Sequence, residues 1–162
     1  MKKTFICALL VAILSLSLAV PAMAAGGKSF VAHLSGGEEV PPVETLAQGQ
    51  AIFQLSKSGD ELSYRLIAAN IENVLQSHIH LAPAGVNGPV VVWLYPSAPP
   101  AELIPGRFDG VLAQGTITAA DLVGPLAGQS LDDLLEEMMA GNAYVNVHTE
   151  QHPGGEIRGQ IR

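Results

Sequence analysis

The chain has 162 residues, a formal net charge of −7 and one cysteine. That length suits one domain, and an acidic surface repels phosphate backbones and anionic membranes while it favours cations. With Cys7 the sole thiol, no disulfide framework, all-Cys metal cage or second redox partner is available.

The first segment has the order of a secretory signal. Lys2 and Lys3 precede an apolar run from Phe5 to Val20, then Pro21 and the small-residue sequence Ala22-Met23-Ala24. The run falls short of the roughly 20 apolar residues that span a bilayer, and it ends in a helix breaker. Cys7 precedes most of it, which does not fit the acylated first residue of a lipoprotein. The expected product is one domain, residues 25–162, in a secreted or periplasmic (extracytoplasmic) location after removal of residues 1–24. It would hold six basic and fifteen acidic residues, a charge of −9 with histidine neutral.

The rest reads as short strands punctuated by Gly and Pro. Ser29–Leu34 is the first, followed by the irregular Ser35–Pro42. Gln48–Leu55 alternates, with Ala51, Phe53 and Leu55 on one face. Lys57-Ser58-Gly59-Asp60 is turn chemistry, and Leu62, Tyr64, Leu66 and Ala68 alternate after it, which predicts a β-hairpin. Val74–Leu81 is a separate strand, Pro83–Pro89 a tight loop, and Val90–Tyr95 a buried strand. After the Pro-rich Pro96–Gly106, Phe108–Thr118 returns as a strand. Ser130 and Asp133 form a capping box for one helix with an apolar stripe of Leu131, Leu134, Leu135 and Met138, ended by Gly141. Strands Ala143–Thr149 and Glu156–Ile161 close the chain. The pattern predicts an all-β fold, a mainly antiparallel β-sandwich or barrel of Greek-key type with one short helix near 131–140.

The histidines carry the chemistry. In His78-Ile79-His80 the two imidazoles share one strand face. In Tyr144–His148 the valines Val145 and Val147 suit the core, which turns His148 to the other side with Asn146 and Tyr144. If these strands are neighbours, three imidazoles converge. His33 on the first strand is a fourth candidate, and His152 in the last turn a fifth. Neutral imidazoles are the usual ligands of copper and zinc, and ligand type alone does not choose between the two.

Several blocks resemble the CHRD (chordin) domain family, whose bacterial-type members are exported proteins with a single such domain. They are Leu34–Pro42, Gly49 with Ala51, His78–Val92, and Gly141–Thr149 continuing through Pro153–Ile161. Leu81 departs from the pattern, where the family more often has Gly. The resemblance implies a compact, β-rich, extracytoplasmic domain and leaves function open. His78, His80, His148 and Arg158 also bear a looser likeness to copper-zinc superoxide dismutase, without its cysteines or its long zinc loop. Three functions follow. The first is a binding module that holds copper or zinc for storage, delivery or structure, with the metal ion as partner. The others are a metal-dependent redox enzyme and a matrix or adhesion domain with structural histidines. The first is preferred, and no nucleic-acid or membrane partner is expected of the mature domain.

Other polar residues read more plainly. Glu156 and Arg158 share a strand face and suggest a solvent-facing ion pair, with an anion guide beside the histidines as the alternative. Glu38 and Glu39 suit a turn, or an oxygen ligand. Asn87-Gly88 suits positive φ in a tight turn.

Overall fold

The computed structural model describes residues 27–162, so the expected signal segment lies outside the described residues. The strands are β1 (Ser29–Ser35), β2 (Gln48–Leu55), β3 (Leu62–Leu81), β4 (Val90–Tyr95), β5 (Ile104–Ile117), β6 (Ala143–Thr149) and β7 (Ile157–Gln160), with one α-helix, α1 (Leu131–Met139). All pairings are antiparallel. The path β2–β1–β7–β6–β3 is closed because β2 also pairs with the first half of β3. This is the expected all-β barrel with a single short helix.

β3 is one strand of 20 residues, where alternation predicted two. Asn70 and Asn73 adopt φ of 55° and 52°, a left-handed conformation that Asn tolerates better than most residues. Each inserts a kink, and pairing with β5 shifts register across both. Between the kinks Ile71 still pairs with Phe108 and Glu72 with Arg107. The ladder is bent but not broken. The first half of β3 therefore faces β2 and β5, and the second half faces β6 and β4. β5 also starts earlier than expected, at Ile104. Its only ladder partner is β3, and on such an edge Pro105 has no ladder bond to lose.

The barrel interior takes period-two residues of β1, β2, β3, β6 and β7: Ala32 and Leu34, Ala51 and Phe53, Leu66 and Ala68, Ile79, Val145 and Val147, and Ile157. Leu131, Leu134, Leu135 and Met138 of α1 join the same core. Ser130 caps α1 by accepting from the Asp133 amide, and the Asp133 side chain accepts from the Ser130 amide, as the sequence predicts.

These two parts of α1 differ in weight. Leu134→Ala, at a position with 0 % exposure, is expected to cost about 2–5 kcal/mol, and Ser130→Ala about 1 kcal/mol. Urea unfolding of both variants measures the order, and a cap loss larger than the core loss would show that α1 is not anchored through Leu134.

Candidate metal centre

β6 is buried at all seven positions, and its two faces differ in kind. Ala143, Val145 and Val147 enter the apolar core, so Tyr144, Asn146 and His148 occupy the opposite face. Register extends that face across the sheet. On β3, His78 stands opposite Asn146 and His80 opposite Tyr144. On β7, Arg158 stands opposite Asn146 and Gln160 opposite Tyr144. The result is a polar layer on the outer side of the barrel wall. It is nonetheless dry: His78, His80, Asn146, His148 and Arg158 are 2, 8, 2, 7 and 1 % exposed.

The cover is the loop between β3 and β4, and Arg158 holds it down. Its guanidinium donates to the carbonyls of Pro83 and Val86 at 3.3 and 2.9 Å and to Asn87 Oδ1 at 3.2 Å. Its Cζ lies 3.4 Å from the centroid of the Tyr144 ring. Gln160 donates to the Ala82 carbonyl, and the Gly88 amide donates to the Tyr144 hydroxyl. Asn87 ties this loop to the segment after β1 by donating to the Val40 carbonyl at 2.7 Å. Gly88 is required here because a Cβ would lie 1.8 Å from the Leu81 carbonyl oxygen.

Inside this enclosure one nitrogen each from His78, His80 and His148 lies within 4.8 Å of the others. Backbone carbonyls set two of the tautomers. His80 Nδ1–H donates to Gly88 O at 2.9 Å, and His148 Nδ1–H donates to Pro153 O at 3.0 Å. Each Nε2 is then a lone pair. His148 Nε2 accepts from His78 Nδ1–H at 3.2 Å, which makes His78 Nε2 a third lone pair. Two nitrogens bound to one tetrahedral zinc at about 2.0–2.1 Å stand about 3.3 Å apart, close to the 3.2 Å between His78 Nδ1 and His148 Nε2, and an ion between them would bind the other tautomer of His78, with its proton on Nε2.

The interior is therefore rich in acceptors and short of donors. His78 Nε2, His80 Nε2, Asn146 Oδ1 and Glu39 Oε1 are buried without a partner. Such atoms cost about 1–3 kcal/mol each when left unmet, and a cation supplies what they lack. Aromatic rings enclose the imidazoles: Trp93 meets His78 edge-on at 4.3 Å, and Tyr144 stacks on His80 at 4.8 Å.

Burial keeps the rings neutral. It lowers His78 to about 3, helped by the adjacent His148 and His80. It lowers His148 to about 4 against the opposing Pro153 hydrogen bond. His80 is also lowered, by burial first and by Arg158, against the Gly88 carbonyl, which accepts from its Nδ1 and favours its charged form. Free histidine is already mostly neutral at pH 7. Burial extends the ligand-competent form several units into acid.

Of the five histidines, the fold brings together His78, His80 and His148. His33 is exposed on β1 and stands outside this group. His152 lies in the turn before β7, where its backbone amide donates to Thr149 Oγ1. The expected Glu156–Arg158 ion pair is replaced by separate partners. Glu156 accepts from Thr45 and Thr149, both at 2.7 Å, while Arg158 faces the loop carbonyls, because β7 is buried at all four positions. Glu38 is exposed in a short 3-10 turn. Glu39 is 5 % exposed, and burial pushes its carboxyl up to about 7 despite the nearby Arg158. Positive φ in the Pro83–Pro89 loop belongs to Gly85 and not to Asn87; Asn87 is needed for its side-chain amide. Period two had already placed Tyr144 and Asn146 on the histidine face. No sequence signal marked Trp93, whose meeting with His78 depends on the β3–β4 register and its shifts.

The sequence model of the CHRD domain family matches residues 30–161, so the chain belongs to that family. It is similar to Chordin of Xenopus laevis, with 29 % identity over 133 residues. That match covers 79 % of this chain and 12 % of Chordin, so the chain spans a small part of its relative's length. No solved structure matches it.

The buried titratable groups give two opposite pH dependences. The lowered histidines contribute stability that is full above the unfolded value near 6.5 and is lost as pH falls towards 4 to 3. Glu39, raised from 4.5 to about 7, contributes stability that is full below 4.5 and is lost as pH rises through 7. His78→Gln is therefore expected to flatten the acid limb of the metal-free protein. Glu39→Gln should gain on the wild type between pH 4.5 and 7.5, by up to about 3 kcal/mol. Urea midpoints across pH 3–8 measure both, and parallel curves for wild type and Glu39→Gln would place Glu39 in solvent.

Proposed function

We propose that this member of the CHRD domain family is an exported module that holds one copper or zinc ion with His78, His80 and His148. The observation that carries the proposal is the surplus of buried lone pairs. His80 and His148 are tethered through Nδ1 to backbone carbonyls, which leaves His80 Nε2 unpartnered and His148 Nε2 met only by the exchangeable proton on His78. Backbone carbonyls behind metal-bound imidazoles orient the rings and raise their basicity. Burial of all three rings favours retention of the ion over exchange of a small substrate at it, which supports storage, delivery or structural use ahead of turnover. No helix among the described residues is long and apolar enough to cross a membrane. The signal-like order of residues 1–24 supports export and cleavage.

Calorimetric titration of tag-free protein with Cu(II) and Zn(II) tests the site. One ion per chain is expected, with affinity reduced at least about 100-fold in His80→Gln and His148→Gln, beyond the 10–100-fold typical of losing an outer-shell partner. The bound form should also unfold at higher temperature in proportion to ligand excess. Equal affinity in wild type and both variants would return the three histidines to a packing role.

Export is tested separately. Mass spectrometry of protein recovered from the native host is expected to give an N-terminus at or near Ala25. An intact Met1 in a membrane fraction would show an uncleaved anchor instead.

A further inference from the structure

We infer that the triad is built for the cuprous ion, Cu(I), in preference to a dication. The inference rests on the reading of His78, His80 and His148 as metal ligands and concerns only the charge of the ion they hold. All three donors are neutral imidazoles, and no Asp or Glu joins them in the ligand group. Of the two further unpaired acceptors, Asn146 Oδ1 is neutral and Glu39 Oε1 belongs to a carboxyl that burial pushes up to about 7, towards its neutral form. An ion entering the triad thus meets three neutral nitrogens.

A permanent positive charge stands close by. Arg158 packs on the Tyr144 ring at 3.4 Å, and Tyr144 stacks on His80 at 4.8 Å with 9° between the planes. The guanidinium carbon is thereby held within about 8 Å of the His80 ring. It cannot swing away, because its nitrogens are fixed to Pro83, Val86 and Asn87. Its charge already acts on His80, where it opposes protonation.

Charge magnitude then decides between ions. The cost of stripping water from an ion grows with the square of its charge, and repulsion from Arg158 grows in direct proportion. A dication therefore faces about four times the desolvation cost and twice the repulsion of Cu(I). Zinc on three protein ligands also takes a fourth, a water or a substrate. Cu(I) is satisfied by three neutral nitrogens. The acidic net charge of the chain attracts every cation, but over distances at which salt screens it. Arg158 lies inside that screening length.

The test compares ions of different charge in one protein. Cu(I) affinity is measured anaerobically, with ascorbate as reductant, by competition with a chromogenic cuprous chelator. Zn(II) affinity is measured by calorimetry at the same pH of 6.5, where Glu39 retains most of its proton. Wild type is expected to bind Cu(I) at least roughly 100-fold more tightly than Zn(II). Arg158→Met should strengthen Cu(I) by roughly 10-fold and Zn(II) by roughly 100-fold, the square of the first factor. Arg158→Lys keeps the charge and should leave the ratio of the two affinities unchanged. Should Arg158→Met not fold, Glu39→Gln at pH 8 gives the opposite sign. It removes a carboxylate that offsets Arg158, and it should weaken Zn(II) by the square of its effect on Cu(I). Wild-type preference for Zn(II), or equal factors for both ions in the charge variants, overturns the inference while leaving a metal site. Absence of binding for Cu(I), Cu(II) and Zn(II) alike overturns the metal reading itself.

Discussion

Arg158 is 1 % exposed, and among the described residues no carboxylate lies within ion-pair distance of it. A guanidinium cannot shed its proton in a protein, so its donors must be met by something else. Here they are met by the loop between β3 and β4 and by the face of Tyr144. That requirement ties the loop to the sheet. Once the loop is down, the outer face of β6 and its neighbours is sealed from water. Every other property of the histidine layer follows from that closure.

The sealed layer inverts the usual arrangement of a β-barrel wall, in which the outer face meets solvent. β6 is buried on both sides, with an apolar side that stabilises the barrel by area and a polar side that must be satisfied atom by atom. Carbonyls from the covering segments do part of this work, through Gly88 for His80 and Pro153 for His148. They complete the Nδ1 side of each ring and leave the Nε2 of His80 unpartnered and that of His148 with only His78 as donor. For His80, the loop that excludes water thus also determines which nitrogen is free.

Glu39 and Arg158 make the layer electrostatically uneven. Burial pushes the carboxyl towards its neutral form while the guanidinium pulls it back. Asn146 stands between His78 and Arg158 in register. A change in charge at Glu39 or Arg158 is therefore felt at the histidines through a medium that screens poorly.

Period-two patterning by itself determined the strands, the faces of β1, β2 and β6, and the separation of Val145 and Val147 from His148, because side-chain direction along a strand is a local property. The capping box at Ser130 and Asp133 determined the helix in the same way. The blocks shared with the CHRD family, Leu34–Pro42, His78–Val92, Gly141–Thr149 and Pro153–Ile161, contain every residue of the histidine layer, and Trp93 lies just outside them. Tertiary structure alone decided that β3 and β6 are neighbours, and that Asn70 and Asn73 bend one strand where alternation suggests two. It also turned Arg158 from Glu156 to the loop and left His33 apart from the triad. Those outcomes depend on register and on which donors a buried group can reach, and both are set by residues as many as 111 positions apart in the chain.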